Sequence, residues 1–116
     1  MSTSWKGIIC VIDDITPTEF VRLREDDARW QVLDVREPWE FEVSSIDNAI
    51  LMPMSDVPKR ISELDSTRPT AVLCRSGIRS RNVAEFLAEQ GFARLINIAG
   101  GINAWSQEVD ASLEQY

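Results

Sequence analysis

Histidine is absent from these 116 residues. That excludes a Ser-His-Asp triad, a Cys-His dyad and every histidine-containing zinc site. Cysteine is scarce: Cys10 and Cys74 are too few and too far apart for a disulfide scaffold or a metal knuckle. A reducing cytoplasm is the setting such thiols imply. No apolar run approaches the roughly 18 residues of a membrane span. The first dozen residues lack the basic start, apolar core and small-residue cleavage site of a secretory signal. Internal repeats, low-complexity tracts and Gly/Ser- or Pro-rich linkers are also missing, so residues 1–116 read as one domain. Basic residues are outnumbered, 12 against 19 acids, and the net charge of −7 argues against nucleic acid or an anionic membrane as the main partner. Any activated nucleophile must draw its activation from something other than imidazole.

What is present alternates short apolar runs with amphipathic stretches. Ile8–Ile12 reads as a strand, although Asp13-Asp14-Ile15 could equally carry the first sheet pairing. Thr16-Pro17-Thr18-Glu19 is a helix start, with a hydroxyl cap, proline at the first helical position and glutamate three residues after the cap. That helix fades in Glu25-Asp26-Asp27. Strands are expected at Gln31–Val35, Ala49–Leu51, Ala71–Leu73 and Arg94–Ile98. Pro38 opens a short helix through Phe41, and Ser55 to Leu64 fits another, with Val57, Ile61 and Leu64 on one face. The strongest helix runs from Ser80 to Gln90 and stops at Gly91; Gly100-Gly101 turns into a last one holding Ile102 and Trp105. Strands alternating with helices at these lengths predict an α/β domain with a mostly parallel sheet. In such sheets ligands bind at the carboxyl ends of the strands.

One loop after a predicted strand stands out: Cys74-Arg75-Ser76-Gly77-Ile78-Arg79-Ser80-Arg81. A tight turn at Gly77 can aim several backbone N–H groups inward, and the helix behind adds its positive end. A free thiol has a pKa of about 8.5, so little of it is thiolate at neutral pH. A loop lowering that by about two units would favour the anion by about 2.7 kcal/mol. The bland alternative is a buried structural cysteine followed by a solvated basic helix start. Two chemistries use a cysteine in such a loop: sulfur transfer and phosphate ester hydrolysis. Cysteine phosphatases place five residues between Cys and Arg, whereas that position here is Ser80, and Arg79 closes a loop one residue shorter. The smaller cradle suits a sulfur carried on the cysteine rather than a phosphate.

Taken with Leu33-Asp34-Val35-Arg36-Glu37-Pro38-Trp39-Glu40-Phe41, Gly91-Phe92 and Gly100-Gly101-Ile102-Asn103-Ala104-Trp105, this loop resembles the rhodanese family of sulfurtransferases. The likeness runs from about Asp14 to Trp105, leaving residues 1–13 as an N-terminal extension and 106–116 as a tail. It implies a three-layer α/β/α fold with a five-stranded, mainly parallel sheet, and a single-domain sulfurtransferase that needs no cofactor or metal. Cys74 would take a sulfane sulfur from thiosulfate or another persulfide donor and hold it as a persulfide. Cyanide, a small thiol or a protein thiol such as that of a sulfur carrier would then remove it. The N–H groups of residues 75 to 80 would stabilise the negative sulfur. Arg75 and Arg79 would attract the anionic donor, while Asp34 and Arg36 would support the loop from the neighbouring strand. Other readings are a protein-binding sulfur relay or sensor module with negligible thiosulfate turnover and, behind it, a cysteine phosphatase or arsenate reductase.

The likeness is incomplete. Where relatives carry His-Ile-Pro-Gly-Ala, this chain has Ser45-Ile46-Asp47-Asn48-Ala49, with Asn48 able to take the left-handed turn of the glycine. Cys10 matches nothing in the pattern and reads as structural. The four tryptophans are scattered among acids and read as core and rim packing. Arg81 reads as part of a solvated face, and the tail from Gln107 as loosely packed through Val109 and Leu113, or frayed. Four arginines and no acid between Ser66 and Ala84 predict a confined basic pocket within an acidic scaffold.

Overall fold

A computed structural model describes residues 12–114 and 116. Five strands form one parallel sheet: β1 (Asp13–Ile15), β2 (Gln31–Asp34), β3 (Ala49–Leu51), β4 (Thr70–Leu73) and β5 (Leu95–Ile98), in the order β1-β5-β4-β2-β3. The helices are α1 (Pro17–Asp26), α2 (Pro38–Val43), α3 (Val57–Arg60), α4 (Ile78–Glu89) and α5 (Gly101–Glu108). The three inner strands β2, β4 and β5 are buried along their whole length, as strands covered on both faces must be.

The pleat divides the core in two. Leu33, Val72 and Leu95 point to one face and pack with Val57, Leu64, Val83, Ala84 and Leu87 from α3 and α4 and the segment between α3 and β4. Val32, Ala71, Leu73, Ile96 and Ile98 point to the other, against Phe20, Ile102 and Trp105 from α1 and α5. Phe20 lies edge-on to Trp30 at 5.4 Å, with Trp105 tilted against it at 6.2 Å, so these two tryptophans are core. Trp39 is 60% exposed and sits at the rim.

Local signals set most element ends. The Thr16 hydroxyl accepts the Glu19 N–H while the Glu19 carboxylate accepts the Thr16 N–H, closing the expected capping box on α1. Asn48 takes the left-handed turn before β3, with φ 66°. One expectation needs correction. The helix anticipated from Ser55 to Leu64 is broken into a 3-10 turn (Met54–Asp56), the single turn α3 and a second 3-10 turn (Ile61–Glu63). Pro58 has no N–H to return to the preceding turn, and Arg60 leaves helical geometry at φ −111°, ψ 9°. The first strand is Asp13–Ile15 at the sheet edge; most of Ile8–Ile12, like Cys10 and Trp5, lies outside the described residues.

Strand β4 is central, so the residue that follows it, Cys74, emerges mid-sheet at the carboxyl edge. Arg68 precedes β4 and lies at the opposite edge.

Candidate active site

Cys74 is almost wholly buried, at 1% exposure, and packs beside Val72 and Val83. Its Sγ lies 3.0 Å from the Gly77 nitrogen, whose N–H donates to it, and 3.3 Å from the Ser80 hydroxyl. Burial pushes the thiol pKa up. The Ser80 hydroxyl and the N–H groups of Ser80, Gly77 and Ser76 together outweigh burial and leave it below the ordinary thiol value. The groups that stabilise the sulfur anion most are therefore neutral dipoles, with the Arg79 charge adding a smaller share.

Two elements hold the loop in that shape. The first two N–H groups after Gly101 point at loop carbonyls: Ile102 donates to Cys74 O at 2.8 Å and Asn103 to Arg75 O at 3.2 Å. Turning these carbonyls toward α5 leaves the N–H groups that follow free to turn to Sγ. Gly101 permits the approach. At φ +58°, a Cβ there would stand 2.3 Å from Cys74 O and 2.5 Å from Arg75 O. On the other side, the buried Asn97 amide donates to Gly77 O at 3.0 Å and to Asp14 Oδ1 at 2.9 Å. Its carbonyl accepts the Ser80 hydroxyl. A chain of polar contacts thus runs from Asp14 on β1 through Asn97 and Ser80 to the thiol.

The charged residues form a separate layer. Arg79 makes two bonds to Glu40, at 2.7 and 2.9 Å. This pairing, with further hydrogen bonds from the Glu37 N–H and the Tyr116 hydroxyl, outweighs burial and lowers the Glu40 pKa from 4.5 to about 2. Asp34 and Arg36 are fully buried and paired at 2.7 Å. Arg36 also donates to Glu40 O and Ser44 O, so the pair anchors both ends of α2. It meets the Cys74 loop at second hand, through Glu40 and Arg79 and through Tyr116 and Arg75.

The four arginines therefore do not make one basic pocket. Arg68 is at the far edge, bonded to Arg29 O and Trp30 O. Arg79 is neutralised by Glu40. Arg81 is tied to β1 through Ile12 O and Asp14 Oδ1, rather than simply solvated. Arg75, like Arg68, has no carboxylate within ion-pair reach among the described residues. It is exposed, as are Ser76 and Ile78; Gly77 and Arg79 are half-buried and Ser80 is buried.

The tail packs through Leu113 as expected, but not through Val109. Val109 is exposed, but the chain returns to the site: Ser44 donates to Glu114 O at 3.0 Å, and Tyr116 reaches the rim of the loop. Its hydroxyl donates to Glu40 Oε2 at 2.7 Å and accepts from Arg36 at 3.0 Å. Its ring lies 4.7 Å from the Arg75 guanidinium and meets Trp39 edge-on at 5.5 Å. Glu40, Asn97 and Tyr116 are the site residues that sequence reasoning missed. Glu40 had a signal, since it caps α2 by accepting the Glu37 N–H at 2.9 Å, four residues after Arg36. Asn97, a lone polar residue in an apolar strand, had another. Among the described residues, no group of three or more cysteine or acidic side chains is placed to hold a metal ion.

A parallel five-stranded α/β sheet with a buried thiol on a short loop between its central strand and the following helix, facing backbone N–H groups, defines a class of α/β domains. The chain belongs to the rhodanese-like domain family, whose model matches residues 16–108. It is 38% identical over 76 residues to a sulfurtransferase of Allochromatium vinosum, covering 66% of this chain and 71% of that protein. A rhodanese-like domain protein from Staphylococcus aureus superposes with a TM-score of 0.77 at 30% identity, over 90% of this chain and 99% of the other. A rhodanese-related protein from Thermoplasma volcanium gives 0.73 at 34% identity, over 84% and 93%.

Proposed function

We propose that this protein is a sulfurtransferase that carries a sulfane sulfur on Cys74. The observation that bears this reading is the Gly77 N–H donating to the Cys74 sulfur at 3.0 Å, with the Ser80 hydroxyl 3.3 Å from the same atom. A group that stabilises thiolate also stabilises the anionic persulfide formed from it. With thiosulfate as donor, the Cys74 thiolate attacks the outer sulfur. A new S–S bond forms, the bond to the sulfonyl sulfur breaks, and its electron pair leaves with sulfite. Cyanide, a small thiol or the thiol of a carrier protein then attacks the outer sulfur and releases the Cys74 thiolate. Arg75 meets the anionic donor, while Arg79 shapes the loop through Glu40. No helix among the described residues is long and apolar enough to cross a membrane, and the reading takes the cytoplasm, where the thiol stays reduced, as its setting.

Phosphate ester hydrolysis fits less well. The loop is one residue short, and Arg79, the arginine that would clamp a phosphoryl group, is spent on Glu40. A second reading, a relay module that hands sulfur between proteins with little thiosulfate turnover, is favoured by Ile78 and Trp39, 72% and 60% exposed, at the loop and beside it.

Mass spectrometry after thiosulfate treatment tests the first reading. One added sulfur on Cys74 is expected, and none in Cys74→Ser. Wild type that takes up none, or a variant that takes up as much, sinks it. Steady thiosulfate:cyanide turnover at about 1–1,000 per second, the usual enzyme range, decides against the relay reading.

A further inference from the structure

We propose that Tyr116 is a positioning residue for Arg75 and so sets how strongly the Cys74 loop draws in an anionic reactant. Of the three loop and helix-start arginines, Arg79 and Arg81 lie on carboxylates, and Arg75 has none within reach among the described residues. An exposed arginine without such a partner samples many rotamers and offers a diffuse charge. Here the guanidinium sits 4.7 Å from the centre of the Tyr116 ring, within the range of a cation–π contact.

The ring is itself fixed from three sides. Its hydroxyl is held between Glu40, to which it donates at 2.7 Å, and Arg36, from which it accepts at 3.0 Å. Trp39 packs edge-on at 5.5 Å, and the Ser44 hydroxyl holds the backbone two residues earlier at Glu114 O. The buried Asp34–Arg36 pair and the cap of α2 thereby orient an aromatic face, and the face orients the one arginine left to meet a reactant. A ring serves better than a carboxylate for this purpose. It holds the cation in place without cancelling its charge.

The inference rests on Cys74 being the reactive thiol, but its test does not need sulfur transfer. Iodoacetate and iodoacetamide alkylate a thiolate by the same displacement of iodide and differ in that only iodoacetate is an anion. The ratio of their rates at Cys74, followed by peptide mass so that Cys10 is scored separately, reads the anion preference of the loop. The iodoacetamide rate alone reads whether the loop is intact. Tyr116→Ala is expected to lower the ratio about fivefold, the scale of one lost cation–π contact, with the iodoacetamide rate within about twofold of wild type. Tyr116→Phe keeps the ring and should keep the ratio within about twofold. In an Arg75→Met background, Tyr116→Ala should leave the ratio unchanged.

An unchanged ratio in Tyr116→Ala overturns the proposal. So does an equal fall in the Arg75→Met background, because Tyr116 would then act otherwise than through Arg75. A Tyr116→Phe variant that falls as far as Tyr116→Ala overturns it too, since the hydroxyl rather than the ring would be responsible. Failure to load sulfur from thiosulfate would count against sulfur transfer and leave these rates readable.

Discussion

Around the Cys74 sulfur, the contacts that lower the thiol pKa most are neutral dipoles, the N–H groups of Ser76, Gly77 and Ser80 and the Ser80 hydroxyl, with the Arg79 charge a smaller contribution. At the start of α4 and at the end of β2 the arrangement is reversed, with Arg79 on Glu40, Arg81 on Asp14 and Arg36 on Asp34. The floor of the site stabilises a charge that comes and goes during reaction. The rim consists of charges that stay, and pairing keeps them from competing with the reactant. The difference suits each layer to its place. Dipoles held by a folded loop need no reorganisation when the sulfur ionises, whereas permanent charges near a buried group must be matched or they cost stability.

The largest expected effect comes from undoing the support of the floor. Gly101→Ala places a Cβ against the Cys74 and Arg75 carbonyls in a backbone region that L-residues rarely adopt. The Cys74 alkylation rate at neutral pH should fall on the order of a hundredfold, as when a preorganised anion donor is lost. A change under about threefold would mean that α5 does not shape the loop.

Next comes the rim. The Glu40 pKa is lowered in the fold, so its pairing stabilises the protein fully above pH 4.5 and less as pH falls toward 2. The contribution is on the order of 3 kcal/mol at neutral pH. In urea unfolding, Glu40→Gln should be less stable than wild type at pH 7, and the gap should close between about pH 4.5 and 2. A gap that is the same at pH 2 and pH 7 would remove the ion pair from the account.

A smaller effect is expected from Ser80→Ala. The hydroxyl lies 3.3 Å from the sulfur and is one of several groups that lower the thiol pKa, so its loss should raise that pKa and slow iodoacetamide alkylation at pH 7 about tenfold. The rate should recover as pH rises, and a loss that persists at high pH would point to misplacement of the sulfur instead. Smallest of all is Arg81→Ala. Its ion pair with Asp14 is largely exposed, and thermal unfolding should register no more than about 1 kcal/mol.

The same two layers explain what could be read in the chain before the structure. Elements fixed by local chemistry were legible, such as the Thr16–Glu19 box, the stop near Gly91 and the turn at Asn48. Cys74 and Gly77 were legible because a strand, a glycine and a helix start follow in sequence. The rim was not. Arg79 meets Glu40 across 39 positions, and Tyr116 meets Glu40 across 76, distances at which no periodicity carries information. The basic run from Ser66 to Ala84 misled for the same reason, because sequence adjacency put Arg68 beside Arg75 while β4 carries them to opposite edges of the sheet. The missing histidine was the better guide, since it left only dipoles and arginine to activate the thiol, and the structure divides these between floor and rim.

The central claim, that neutral dipoles more than arginine charge activate Cys74, is tested most directly by the pH dependence of its alkylation by iodoacetamide in wild type, Ser80→Ala and Arg75→Met. The account predicts an inflection below the ordinary thiol pKa in wild type, a higher one in Ser80→Ala and an unmoved one in Arg75→Met. An inflection at or above the ordinary value in wild type, or one that climbs further in Arg75→Met than in Ser80→Ala, would contradict it.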